Sequence, residues 1–184
     1  MDRRKKYTRM VLKDSMIKLL KDKQISEITV KEICELADVN RSTFYAHYLD
    51  LYDLLSKMEE EVLEDMKAYL YQHNFEKDEE SFQVTEKILE YIAENKEMAQ
   101  ILLHENADPI FQKRVIKIAQ KYLMDSWNLA DKLDEDFSHY LSTFIIAGCL
   151  QMIKVWVDDD LKQSPKEMAI LIHNFANNGL SVVK

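Results

Sequence analysis

The stretch that decides the fold is Thr29-Val30-Lys31-Glu32-Ile33-Cys34-Glu35-Leu36-Ala37-Asp38-Val39-Asn40-Arg41-Ser42-Thr43-Phe44-Tyr45-Ala46-His47-Tyr48. Thr29 and Glu32 have the spacing of a capping box, in which the hydroxyl accepts from the N3 amide while the carboxylate reaches back. The helix they open turns Ile33, Leu36 and Ala37 inward and has to stop near Asp38. Asn40 offers a new N-cap almost at once, and the helix it starts runs to about Tyr48. Two short helices joined by so tight a turn form a helix-turn-helix. Cys34 is small where the second helix must approach, Val39 and Phe44 are apolar enough to plug the crossing, and Asp38 is expected in the left-handed conformation that Gly takes freely and Asp tolerates.

Such a motif places its second helix in the major groove with its first residues at base edges. Those residues are Arg41, Ser42 and Thr43, all able to hydrogen-bond, with Arg41 suited to the paired acceptors of guanine. Tyr45, His47 and Tyr48 add donors at phosphate height, and Thr29 aims a helix N-terminus at the backbone. Upstream, Arg3-Arg4-Lys5-Lys6 reads either as a basic arm tracking the minor groove or phosphates, or as a solvated terminus.

The same run closely resembles the DNA-binding signature of TetR/AcrR-type transcriptional regulators, over residues 8–55. The Thr-Val start, the A-x-V-x-x-x-T turn and the aromatic pair before x-H-Y carry the resemblance. It implies an N-terminal three-helix DNA-binding domain, a linking fourth helix, and a C-terminal helical domain that dimerises and senses a ligand. The chain departs from the family pattern twice. Asp38 replaces the common turn glycine, and Leu51 stands where the family usually has a lysine that commonly touches phosphate. DNA affinity then leans on Tyr45, His47, Thr29 and the arm.

The remainder of the chain agrees with an all-α fold of about nine helices. Two glycines and two prolines in 184 residues exclude a dinucleotide fingerprint or P-loop and leave few turns for a sandwich or barrel. Helical periodicity runs through Val11–Leu20, and a long helix from Leu51 to about Gln72 carries Leu54, Leu55, Met58, Val62, Met66 and Leu70. Weaker patterns hold Val84–Ile92 and, after a cap at Asn95, Met98–Leu102. Asp108-Pro109, Asp134 and Ser164-Pro165-Lys166-Glu167 open three more helices.

The net charge of −8 is uneven. Residues 1–50 hold 11 basic and 8 acidic side chains, whereas residues 51–184 hold 14 and 25. A basic end on an acidic body suggests two jobs, divided as a DNA-binding domain (1–50) and an effector-binding and dimerisation domain (51–184). Cys34 and Cys149 read as buried, inert thiols. No run of about 18 consecutive apolar residues and no signal peptide is found, so the expectation is a cytoplasmic protein without a membrane partner.

Phe137–Val157 is apolar on more than one face, which packing against a single core cannot hide. Joined by the last helix, it is expected to form a four-helix homodimer interface, as the resemblance also implies, with Tyr140, Phe144, Gly148, Met152, Leu171 and Phe175 as contacts; the alternative is a central buried helix. Phe144 to Trp156 with the following Ser-Pro-Lys-Glu, and Ala93-Glu94-Asn95, also resemble regulators that include activators of dihydroxyacetone kinase operons. Tyr91, Met98, Leu102, Phe111, Tyr122 and Trp127 read either as walls of a pocket for an unidentified apolar or aromatic small-molecule effector, or as plain core.

No cofactor, metal or catalytic constellation is readable. The five histidines lack metal-ligand spacing, His104-Glu105 reads as a surface pair, and Asp158-Asp159-Asp160 follows a helix as loop. The expected function is therefore a ligand-responsive, sequence-specific regulator, a repressor acting as a homodimer on a double-stranded DNA operator, and not an enzyme. The alternative is a helical adaptor that senses a ligand and acts through a partner protein.

Overall fold

Every regular element in the computed structural model, which describes residues 3–71, 78–103, 108–127 and 134–181, is helical. Among the described residues the α-helices are α1 (Arg3–Leu20), α2 (Val30–Leu36), α3 (Arg41–Tyr45), α4 (Leu51–Tyr71), α5 (Asp78–Glu94), α6 (Lys96–Leu103), α7 (Pro109–Trp127), α8 (Glu135–Asp158) and α9 (Pro165–Ser181). A 3-10 turn, Ile25–Glu27, fills the break before α2. The chain forms two compact units, residues 1–62 and 63–184, and the division falls inside α4.

The first unit is organised around Leu12 and Met16 of α1, Ile33 and Cys34 of α2, Phe44 of α3, and Leu51, Leu54 and Met58 of α4, all buried. These recur at helical spacing, so a single apolar stripe per helix closes the core. Replacing the fully buried Phe44 by Ala removes about 3–5 kcal/mol, a large share of what so small a unit has. Basic residues Arg3 to Lys6 are not a separate arm: α1 begins at Arg3, so they form its first turn and remain exposed. Helix α3 ends at Tyr45, earlier than its apolar pattern suggests: Ala46 caps it with αR backbone, and the His47 and Tyr48 amides both donate to the Phe44 carbonyl (2.9 Å each) before the chain crosses to α4.

In the second unit α5 lies along α9, and α6 and α7 pack on α8. Leu89, Trp156, Val157, Met168, Ala169 and Ile172 form its principal buried cluster. The indole N–H of Trp156 donates to the Gln163 carbonyl (2.9 Å), pinning the α8–α9 turn. In that turn Asp160 and Leu161 take positive φ (62° and 56°), and Asp160 pairs with Lys96. Asp158 is the last residue of α8, and Asp159 and Asp160 lie in the turn. Ser164 and Glu167 cap α9 reciprocally: Ser164 N–H donates to the Glu167 carboxylate (2.8 Å) and Glu167 N–H to the Ser164 hydroxyl (3.2 Å). Asn95 does not cap α6 as its position suggests, since its side-chain amide donates back to the Tyr91 carbonyl (2.9 Å) of α5.

Candidate nucleic-acid interface

The turn between α2 and α3 is built as its sequence requires. The Thr29 hydroxyl accepts from Glu32 N–H (3.2 Å), and the Glu32 carboxylate accepts from both Thr29 N–H and the Thr29 hydroxyl (2.8 Å each). Asp38 has φ 52°, in the left-handed region, so the chain reverses without glycine. Val39 N–H closes the turn by donating to the Cys34 carbonyl (3.0 Å). Beneath it Phe44 is fully buried, edge-on to Tyr45 (5.4 Å between ring centres) and tilted against Tyr48 (5.7 Å).

This packing presents one side of α3 outward. Arg41 and Ser42 are exposed, Thr43 is half-buried, and Tyr45 is 57% exposed. Thr29 is exposed at the α2 N-terminus. His47 is partly buried; that burial, and then the nearby cations Arg9, Lys5 and Lys57, hold its imidazole below the ordinary value. Lys5 and Arg9 of α1 and Lys57 of α4 thus bring positive charge close to His47, just past the end of α3, as a polyanion requires. Tyr48 is a correction: it sits four residues after Phe44 on the same side and is only 3% exposed, so its ring belongs to the core. Leu51 is also buried, in a place where a lysine would have to reach out.

Helix α8 carries two stripes. Ser138, Ser142, Ile146, Trp156 and Val157 face inward, and Cys149, Met152 and Ile153 pack against the buried cluster. On the other side Phe137, Tyr140, Phe144 and Val155 are exposed, Phe144 to 78%. Gly148 lies in this outer stripe, and no atom lies within 4 Å of the place a Cβ would occupy. Leu171 and Phe175 of α9 are exposed as well, 42% and 68%. Met152 is therefore a correction, turned to its own core instead of outward; Met168 and Ile172 of α9 are buried in the same cluster. By length and composition residues 136–158 would suffice to cross a membrane (mean hydropathy 1.5), although no unbroken apolar run occurs: Ser, Thr, Gln and Lys interrupt the run without lowering the average much.

A cavity of about 290 Å³ lies between α7 and α8. Leu103, Phe111, Val115, Ile116, Ala147 and Leu150 supply its apolar walls, and Gln112, Gln151 and Lys154 its polar groups. Of the expected wall residues whose side chains are described, only Phe111 lines it. Leu102 is buried beside its Leu103 rim, and Met98 and Tyr122 are half-buried elsewhere. Tyr91 is engaged between helices, its hydroxyl donating to Asp65 of α4 (2.9 Å) and its ring against Tyr69 (5.7 Å). The side chain of Trp127 and the pair His104-Glu105 lie outside the described residues. Val115, Ile116, Gln151 and Lys154 escaped sequence reading because no period separates a cavity wall from ordinary core. Burial raises the Cys34 and Cys149 thiols, and the Arg41 charge offsets part of the rise at Cys34. Among the described residues no three His, Cys, Asp or Glu side chains are grouped to hold a metal.

The model of the family described as "Transcriptional regulator C-terminal region", of TetR type, matches residues 79–178, more than half of the chain. The chain belongs to the TetR family of transcriptional regulators. A curated relative, the uncharacterized HTH-type transcriptional regulator YxbF of Bacillus subtilis (strain 168), is 26% identical over 171 residues. That alignment takes in 86% of this chain but 42% of the relative, so the chain spans less than half the relative's length. Two solved structures share the TetR fold. A TetR transcriptional regulator from Streptococcus agalactiae 2603V has a TM-score of 0.65 at 24% identity, over 95% of this chain and 96% of that one. The dihydroxyacetone kinase operon activator DhaS has a TM-score of 0.63 at 15% identity, over 95% and 97%. At such identities the likeness is one of fold. In this chain Asp38 takes the left-handed backbone at the turn, and the residue that opens α4 is the buried, uncharged Leu51.

Proposed function

We propose that this chain is a homodimeric, effector-responsive repressor that binds a two-fold symmetric operator in the cytoplasm, and that its function is binding, not catalysis. Residues 1–50 do the reading and residues 51–184 dimerise and take the effector. The observation that carries this is the outward side of α3, where Arg41, Ser42 and Tyr45 are exposed and Thr43 half-exposed over a buried Phe44. Arg41 and Thr43 read base edges, Tyr45, His47 and the α2 N-terminus at Thr29 hold phosphates, and Arg3 and Arg4 add charge from the first turn of α1.

The outer stripe of α8 and α9 is the second support. Exposed Tyr140, Phe144, Leu171 and Phe175 form an apolar surface that a second copy covers, with Gly148 letting the two α8 helices approach. The α7–α8 cavity supplies room for a small, mostly apolar effector with one polar group. Because α8 lines the cavity and also carries the outer stripe, a ligand preferring one dimer arrangement shifts the population between two.

Buried Leu51 favours a second reading, in which the chain acts through a partner protein and holds DNA weakly. One experiment separates the two. Duplexes are selected from a randomised pool by the wild-type protein, and the double variant Thr43→Ala, Tyr45→Ala is titrated against the winner. Loss of about 100-fold or more in affinity is expected for two lost contacts. Unchanged affinity contradicts the assignment of α3, and failure to enrich any sequence favours the adaptor.

A further inference from the structure

Helix α3 has five residues, too few to hold its own direction by hydrogen bonds within the helix. Its exit, residues 46–50, is fastened to α4 by two side chains one turn apart. Asp53 accepts from the Leu49 N–H (2.9 Å) and from the Lys57 ammonium (2.8 Å) through the same carboxylate oxygen. The Lys57 ammonium also donates to the His47 carbonyl (3.2 Å) and stands 5.1 Å from the centre of the Tyr48 ring. Tyr48 packs on Phe44, the residue that fixes α3 in the core. One amine and one carboxylate on α4 thus hold a backbone C=O and a backbone N–H of the exit segment.

We propose that Lys57, with Asp53, is the positioning pair that sets the reading helix on α4, in a chain whose Leu51 leaves the start of that helix without a cation. This rests on the DNA-binding reading above. Helix capping alone does not account for the arrangement. Asp50 already accepts from Asp53 N–H (2.8 Å) as the cap of α4, and Lys57 stands beyond the first turn, where cations gain nothing from the helix N-terminus. The Lys57 side chain is half exposed, but its ammonium is engaged by a carbonyl and a carboxylate of its own fold. The hydrogen bond from Lys57, and then that from Leu49, hold the Asp53 carboxyl below its usual value, so the carboxylate stays ionised. An exposed ion pair adds little to stability. Its effect falls instead on orientation, since backbone contacts set the register on which base contacts depend.

The test compares Lys57→Met, which keeps the stem over Tyr48 and removes the amine, with Lys57→Arg, which restores a donor. The probes are the duplex selected by the wild-type protein and an unrelated duplex of equal length, each titrated across a range of salt. Expected for Lys57→Met is a loss of about tenfold on the selected duplex alone, with an unchanged salt slope, and recovery in Lys57→Arg. Exchange of the Leu49 amide in the DNA-free protein should quicken in Lys57→Met while the melting temperature hardly moves. An equal loss on both duplexes with the slope reduced by about one overturns the proposal in favour of a phosphate contact. So does unchanged affinity for the selected duplex. If the wild-type protein selects no duplex, the DNA-binding reading fails and the positioning role with it; the Leu49 amide then still reports whether the tie exists.

Discussion

Glu32 takes three donors on one carboxylate, the Thr29 amide, the Thr29 hydroxyl and the Lys23 ammonium (2.7 Å). The bond from Lys23, followed by those from Thr29, brings its carboxyl from 4.5 to about 2. A carboxyl depressed in the folded state contributes stability that is complete above 4.5 and disappears as pH falls towards 2. Acid unfolding followed by circular dichroism should therefore be less steep across that window in Glu32→Gln than in the wild type. Parallel curves would show that the Glu32 carboxyl is not held below its ordinary value in the folded protein. The Thr29–Glu32 box and the left-handed Asp38 were legible from residue types and spacing, because both are local. The burial of Tyr48 was not, since it depends on the angle at which the chain leaves α3.

At the scale of elements, α8 shows what a helix with two stripes does to sequence reading. The surplus of apolar residues was evident, and Tyr140, Phe144 and Gly148 do lie outward. Sorting the rest failed because the inward stripe begins with serines: Ser138 and Ser142 are buried, so the polar side of the sequence is part of the packed side. Met152 follows them inward. If the outer stripe is a homodimer seam, Phe144→Glu puts a charge into it from each protomer. Sedimentation should then show a monomer with unchanged helix content, where the wild type sediments as a dimer. A variant that remains a dimer would place the interface elsewhere.

For the molecule as a whole, charge follows the division of labour. The first fifty residues are net basic and the remainder is strongly acidic, so attraction to a phosphate backbone is confined to the reading end. All-helical architecture and the helix-turn-helix were legible because scarcity of glycine and proline, caps and periodicity agree with one another. The cavity was not, since its walls come from α7 and α8 at positions whose patterns resemble ordinary core. The central claim is that two copies of α3 read one symmetric site, and stoichiometric titration of the wild-type protein into a selected two-fold duplex at several salt concentrations tests it most directly. Two protomers per duplex, with log affinity falling linearly against log salt by about 0.9 per neutralised phosphate, is the predicted result. One protomer per duplex, or an affinity indifferent to both sequence and salt, would contradict the account.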